Sequence, residues 1–589
     1  MEGKGMELLS GNEAIAQGAW EAGATIGVGY PGTPSTEALE SFAEKDDVYA
    51  QWSCNEKVAL EVALGASAAG ARVLVTMKHV GVNVAADPLF TAAYTGVNGG
   101  LVILAADDPG MHSSQNEQDS RFYALAVRIP ILEPADSAEA LSFTKAAFEL
   151  SERFDTPVLL RSTVRISHAK TLTSVSARTE VPGKEYQTDP SKWVMVPAFA
   201  RKRRALLDTH VAAMREWVET CPQNEIFWRE RQIGVVCAGA VYQYVVEALP
   251  AASVFKLGVS WPLPAQALSH FAQAVEQLYV VEEASDYLSS QVKALGVAVT
   301  PTPVPLPLAG ELTPGLVRAG FGLPNSDTLA APSDLPGRPP TLCAGCPHRL
   351  VFKELARMGA IVSGDIGCYT LGALPPLNAM DTCVDMGASI SMAHGLELVL
   401  AAKPKHRPVV AVIGDSTFAH SGVSSLLNTV YNRGSGTVVI LDNRTTAMTG
   451  RQGNPVNGLS LQDRPANELN LEALVSALGV EDCQTVDPND MKAVRLGLRA
   501  AVKNPALSVL IFRAPCVLLD KTSQVPVTIT ADCIDCGVCL TLGCPAISRD
   551  ETSRLPVIDA AQCVGCGQCG QYCAPGAIVA STVAEVGNA

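Results

Sequence analysis

The hydrophobic pattern changes character three times along the chain. In residues 1–184, short runs that are apolar almost without a break (Ile26–Tyr30, Arg72–Thr76, Leu101–Ala105 and Pro157–Arg161) recur between stretches with helical spacing. Unbroken apolar runs this short predict strands buried on both faces, the mark of a parallel sheet between helices. The stretch Glu56–Ala69 carries small apolar residues on several faces and predicts a buried helix. Residues 185–230 are more polar and predict a connecting helix region. A second strand–helix alternation opens at Ile233–Gly239, continues through helical Val241–Leu249 and Ala265–Leu278, and ends near Tyr279–Glu282. Residues 300–340 are rich in proline and read as a linker. A third series carries the strands Pro408–Ile413, Gly436–Leu441 and Leu507–Phe512, and past Thr528 the chain breaks into short segments crowded with cysteine.

This pattern predicts a multidomain α/β protein with boundaries at 1–184, 185–230, 231–330, 331–524 and 525–589. A length of 589 residues is too great for one core, and 48% hydrophobic against 17% charged residues supplies several. The net charge of −15 argues against nucleic-acid binding through a basic surface. The dense basic run Arg201–Arg204 leads into apolar spacing and predicts a solvated helix start. No run of 18 or more apolar residues predicts a membrane span, and the N-terminus lacks the features of a secretion signal. A cytoplasmic protein is expected, in which 17 cysteines point to metal binding before disulfides.

Eight of those cysteines form two copies of one motif. Cys533, Cys536 and Cys539 recur at every third position with Cys544 following, and Cys563, Cys566 and Cys569 do the same with Cys573 following. Three thiolates so spaced wrap one side of an iron–sulfur cubane, and in two-cluster ferredoxins the fourth ligates the other cluster. The expected sets are therefore Cys533, Cys536, Cys539 and Cys573 for one [4Fe–4S] cluster, and Cys563, Cys566, Cys569 and Cys544 for the second. Structural zinc, which favours paired C-x-x-C spacing, is the alternative. The segment resembles a bacterial two-cluster ferredoxin.

Upstream, Gly414-Asp415-Ser416 follows the strand VVAVI, and Asp442-Asn443 follows TVVIL. Both pairs are expected at the carboxyl ends of strands, where open α/β sheets bind ligands. Asp415 and the Asn443 amide oxygen are hard donors suited to Mg²⁺, and the Thr445 carbonyl completes such a set. Read alone, Gly-Asp after a strand is as easily a turn, and Glu56 is as easily a carboxylate favoured by a helix N-terminus.

These motifs resemble the thiamine diphosphate enzymes, whose signature is Gly-Asp-Gly and, a helix and a strand later, Asn-Asn. Here GDS and DN depart at two positions but keep the metal-bearing Asp and Asn. The stretches Tyr30–Glu37 (YPGTPSTE), NEKVALE around Glu56, Ser113–Arg121 (SSQNEQDSR), Leu342–Arg349 (LCAGCPHR) and Ser363–Thr370 (SGDIGCYT) resemble, in order, the 2-oxoacid:ferredoxin oxidoreductases, and within them the indolepyruvate branch, whose large subunit carries its own two-cluster tail. The resemblance implies pyrimidine-binding (1–184), transketolase-C-terminal-like (231–330) and diphosphate-binding (331–524) domains and a ferredoxin-type domain (525–589). It implies thiamine diphosphate and Mg²⁺, with Glu56 opposite the aminopyrimidine ring and Gly414, Asp415, Ser416 and Asn443 at the diphosphate. Thr33 and a nearby arginine, here Arg121, would hold the substrate carboxylate. The implied reaction is oxidative decarboxylation of an aryl 2-oxoacid with coenzyme A to an acyl-CoA, CO₂ and reduced ferredoxin. Another 2-oxoacid, or non-oxidative decarboxylation, is the alternative. A smaller β subunit and a dimer of αβ pairs are implied as well. Cys343, Cys346, Cys368 and Cys516 match the setting of a third [4Fe–4S] cluster, with packing thiols as the alternative. His348 beside them is expected either to polarise a substrate oxygen or to cap a loop. Cys54, Cys221, Cys237, Cys383 and Cys483 are expected in the core.

Overall fold

The computed structural model describes residues 5–581 apart from 325–331, 333, 336, 338, 402, 404–405 and 520–524. The last residues of the 525–589 segment, and those of the proline-rich linker in that series, lie outside the described residues. The chain forms two compact units, divided between residues 331 and 332 within that linker.

The first unit holds strands β1 (Gly5–Ser10), β2 (Ile26–Gly29), β3 (Tyr49–Trp52), β4 (Val73–Lys78), β5 (Leu101–Asp107), β6 (Ile131–Leu132), β7 (Val158–Thr163), β8 (Lys170–Val175), β9 (Glu225–Phe227), β10 (Glu230–Ala238), β11 (Ala252–Leu257), β12 (Val259–Trp261) and β13 (Gln277–Val280). Seven of them form one sheet in the order β12-β6-β7-β5-β4-β2-β3, parallel except for β12. A four-stranded sheet, β13-β10-β11-β9, lies beside it in sequence, and β12 leaves that series to join the first sheet against β6. β1 and β8 pair antiparallel on their own. Every residue of β4, β5 and β7 is buried, which is why these strands read as unbroken apolar runs.

Two expectations need correction here. The helix Glu56–Ala68 buries Glu56, Ala59, Leu60, Ala63 and Ser67 but leaves Glu61, Val62 and Gly65 exposed, so within this unit it is one-sided. The helix begun at Ala265 stops at Gln273, and Gln277–Val280 is strand β13, so Leu278 fits the helical spacing only by coincidence. The basic run Arg201–Arg204 does lie in a helix, Pro197–Trp217.

The second unit is built on a wholly parallel five-stranded sheet, β14 (Ile361–Ser363), β15 (Val409–Gly414), β16 (Thr437–Asp442), β17 (Asp482–Val486) and β18 (Ser508–Arg513), in the order β14-β15-β16-β18-β17. Successive side chains feed two separate cores: Val410, Val412, Val439, Leu441, Leu510 and Phe512 face one, and Ala411, Ile413, Val438, Ile440, Val509 and Ile511 the other. Two small antiparallel pairs follow, β19 (Val527–Ile529) with β22 (Ile578–Ala580) and β20 (Ile547–Arg549) with β21 (Pro556–Ile558). The doubled cysteine motif is thus carried on two hairpin-like pairs, the outer formed by the two ends of the segment.

Candidate active site and cysteine-lined cavities

In the second unit, Gly414 pairs in register with Leu441, so β15 and β16 end level and Asp415 and Asn443 emerge side by side at the carboxyl edge. A side chain at Gly414 would start 2.7 Å from the Tyr369 ring, which rests directly on the turn. Asp415 is 2% exposed; it accepts from Ser416 N–H (2.8 Å) and from Asn454 Nδ2 (3.3 Å). Burial, and then the neighbouring charge of Asp442, push its carboxyl up to about 7. Asp442 itself is neutralised by Arg513 (2.6 Å) and Arg444. Among the described residues no Lys or Arg pairs with Asp415. A buried acid left without a cation fits a divalent metal.

Asn443 Oδ1 accepts from Thr445 N–H (3.3 Å), and its Nδ2 faces His348 Nε2 at 3.4 Å. Burial lowers His348 to about 4, so the ring is neutral and can receive that N–H. His348 is 4% exposed at the start of the helix His348–Met358. It is therefore turned towards Asn443, its Nε2 within reach of the Asn443 amide. Ser416 Oγ accepts from Thr446 Oγ1 (2.9 Å), and Thr445 Oγ1 is bonded to the Gln452 carbonyl (3.0 Å).

In the first unit, Thr33 lies half-buried in the turn between β2 and the helix Thr36–Ala43. Glu56, 5% exposed, opens its helix behind the cap in which Asn55 Oδ1 accepts from Val58 N–H (2.9 Å). A methyl at Gly81 would sit 2.6 Å from Glu56 Oε1, so the backbone there lies against the carboxylate. Arg121 does not fit the carboxylate-holding part expected of it. Its fork is taken by Asp119 (2.9 and 2.7 Å), with Glu133 and Glu282 each at 3.7 Å, and it lies over the Tyr287 ring. Arg161 is held likewise, by Asp107 (2.7 Å) and Glu133 (2.6 Å). These two buried cations belong to an internal charge cage. Sequence reading missed its members other than Arg121 because they come from distant segments; it also missed Asn454, which no spacing announces, and Lys78, the polar end of an apolar strand.

The cysteines gather in three groups. Cys533, Cys536, Cys539 and Cys573 line one cavity, whose remaining wall is apolar (Ile529, Val538, Pro556, Ile578) apart from Tyr572. Burial raises the Cys539 thiol, and Cys533 and Cys536 raise it further. Burial pushes Cys569 up to about 12, with Cys566, Cys544 and Cys563 adding their repulsion. Burial likewise pushes Cys346 up to about 12, followed by Cys343 and Cys368, and Cys368 up to about 11, followed by Cys516 and Cys343. Each thiol is thus raised first by burial and then, more weakly, by cysteines that lie near it. Among the described residues no three His, Cys, Asp or Glu side chains converge on a point as a single metal ion requires. Cys237 and Cys221 are buried as expected, whereas Cys54, Cys383 and Cys483 are only partly so.

The pattern described as pyruvate flavodoxin/ferredoxin oxidoreductase, thiamine diP-binding, matches residues 17–218, and that of the C-terminal TPP-binding domain of thiamine pyrophosphate enzymes matches 365–512. The chain is 38% identical over 587 residues to the indolepyruvate oxidoreductase subunit IorA of Archaeoglobus fulgidus, covering 92% of each chain. It is 40% identical over 555 residues to that of Thermococcus kodakarensis, covering 87% of this chain and 86% of the relative. The chain belongs to the IorA family of indolepyruvate oxidoreductase subunits. It is accordingly an enzyme of the thiamine-diphosphate-dependent 2-oxoacid:ferredoxin oxidoreductase class, and the IorA relatives are themselves named as subunits. A solved 2-oxoglutarate:ferredoxin oxidoreductase from Magnetococcus marinus covers 54% of this chain and is covered over 65% of its own, with 17% identity and a TM-score of 0.44, too distant to carry an argument. Among the described residues no helix is long and apolar enough to cross a membrane.

Proposed function

We propose that this chain is the catalytic subunit of an enzyme that oxidatively decarboxylates an aryl 2-oxoacid, indolepyruvate or another arylpyruvate, with coenzyme A, giving an aryl-acetyl-CoA, CO₂ and reduced ferredoxin. The observation that carries it is the uncompensated Asp415 beside Asn443 at the ends of adjacent strands, in a unit that also gathers twelve cysteines in three groups. Asp415, Asn443 and the Thr445 carbonyl would hold Mg²⁺, with Gly414 and Ser416 lining the diphosphate, and His348 would keep the Asn443 oxygen towards the metal. Glu56 would hold a proton against the cofactor's aminopyrimidine ring, and Thr33 would donate to the substrate carboxylate. Thiamine diphosphate, when bound, supplies the nucleophilic carbon and keeps the electron pair that departing CO₂ leaves behind.

The cysteine groups support a route for those electrons. The Cys516 N–H donates to the Asn443 carbonyl at 3.0 Å, so the group with Cys343, Cys346 and Cys368 adjoins the metal edge. Gln568 Nε2, set between Cys566 and Cys569, donates to the Cys346 carbonyl at 3.2 Å. Three [4Fe–4S] clusters in series would conduct single electrons to ferredoxin. The domain assignment 1–184, 231–330, 331–524 and 525–589 belongs to this reading, as do a smaller β subunit and a dimer of such pairs in the cytoplasm. The test is an anaerobic assay with coenzyme A, a viologen dye and a panel of 2-oxoacids. Arylpyruvates should reduce the dye fastest and give the thioester. Release of free aldehyde with no dye reduction would refute the oxidative reading, and preference for an aliphatic acid would refute the aryl one.

A further inference from the structure

Lys78 closes β4 at the carboxyl edge of the first unit's large sheet and is 8% exposed. Its stem lies on the turn that carries Thr33: a methyl at Gly32 would sit 3.0 Å from Lys78 Cβ and 3.7 Å from Cδ. Three residues on, Gly81 lies against Glu56. Lys78 therefore shares one edge with both residues that the proposed function assigns to this unit.

Its charge is poorly answered. Nζ donates to the Ser113 carbonyl at 2.6 Å, and among the described residues it forms no ion pair and no other hydrogen bond. An ammonium has three N–H groups, so two lack an acceptor. Asp108 attracts it from a distance, but that carboxylate accepts from the N–H groups of His112 (3.2 Å) and Ser113 (2.8 Å) and from Ser114 Oγ. Burial lowers the ammonium to about 8. The adjacent His79 is in a similar state: Nε2 is bonded to the Asn116 carbonyl (3.1 Å), and Nδ1 is buried with no partner among the described residues. Arg121 and Arg161 differ, since carboxylates of the same unit already neutralise them.

We infer that Lys78 recognises the carboxylate of the 2-oxoacid, its ammonium donating to a carboxylate oxygen beside the Thr33 hydroxyl. One cation next to one hydroxyl matches a single negative charge. A phosphate would call for a second cation or a nest of backbone N–H groups, and the unit's nearby arginines are already committed. The inference rests on the proposed function and adds the residue that selects an acid over a neutral ketone.

The test compares assembled holoenzyme with Lys78→Met, Lys78→Gln and Lys78→Arg variants, reading KM for the arylpyruvate, KM for coenzyme A, bound thiamine diphosphate, and inhibition by the uncharged arylpyruvamide. Loss of one charge-assisted hydrogen bond should raise KM for the acid roughly 10- to 100-fold. Cofactor content, KM for coenzyme A and inhibition by the amide should stay unchanged, and Lys78→Arg should recover part of the loss. If Lys78→Met loses cofactor through misfolding, Lys78→Gln, which can still donate to Ser113, decides. An unchanged KM for the acid, or a rise in KM for coenzyme A instead, overturns the inference while the proposed function stands. A wild-type holoenzyme that turns over no 2-oxoacid overturns both.

Discussion

Replacing Asp415 by Asn removes a charge and keeps the shape. The amide oxygen can keep the Ser416 N–H at the place of Oδ1, and only the longer contact from Asn454 Nδ2 to Oδ2 (3.3 Å) is given up, so the change is mainly electrostatic. In the metal-free fold this carboxyl keeps its proton up to about pH 7, whereas in the unfolded chain it releases it near 3.8. A group whose folded pKa is raised favours the fold below its unfolded value, and that contribution is lost as the pH climbs through the folded value. At about 1.4 kcal/mol per pH unit, the loss approaches about 4 kcal/mol above pH 7 and vanishes below pH 4. Metal-free Asp415→Asn protein should therefore melt higher than metal-free wild type at pH 8, by up to roughly 10 °C, and together with it at pH 4. Mg²⁺ and thiamine diphosphate at about a hundredfold over Kd should return about 2.7 kcal/mol to the wild type and nothing to the variant. Scanning calorimetry in chelator, with and without both ligands, gives all four curves. A variant that melts at or below the wild type at pH 8, or that gains equally from the ligands, would refute the assignment of Asp415 as an unbalanced acid awaiting a cation.

Glu56→Gln should retain thiamine diphosphate but lose about 10²- to 10⁴-fold in kcat, as expected when a proton-holding group is removed; single-turnover kinetics on cofactor-saturated enzyme checks this. Cys573→Ser should lose the iron of the group with Cys533, Cys536 and Cys539 and leave the Cys563 group intact, which electron paramagnetic resonance of the dithionite-reduced protein can resolve; loss confined to the Cys563 group would refute the crossed pairing. Arg161→Met strands Asp107 without its cation, leaves Glu133 only the longer contact to Arg121 (3.7 Å), and should cost about 3–5 kcal/mol by urea denaturation, with no such cost in the second unit.

The central strands of both large sheets (β2, β4, β5 and β7; β15, β16 and β18) were legible because burial on two faces leaves no polar position to interrupt them, as the split of β15, β16 and β18 between two cores makes plain, whereas the flanking β3, β6, β12, β14 and β17 were not read. The same uniformity hid where the helix after Ala265 ends, since an apolar strand following an apolar helix carries no boundary signal. The pair β1 and β8 escaped notice because it lies apart from the large sheets with much of its surface exposed. Asp415 and Asn443 were readable because each directly follows a strand. Arg121 was misjudged because its partners Glu133 and Glu282 reach it only through the fold. Lys78 was passed over because a lysine at the end of a strand ordinarily marks water, and here it does not.

The cavity walled by Cys533, Cys536, Cys539 and Cys573 takes three thiols from one loop and the fourth from the other, and the group around Cys569 returns the exchange through Cys544. Neither half can be finished before both halves have met. On the proposed cluster assignment, loading of this tail should then behave as a latch with two tongues, engaging both or neither, and partially charged forms should be scarce.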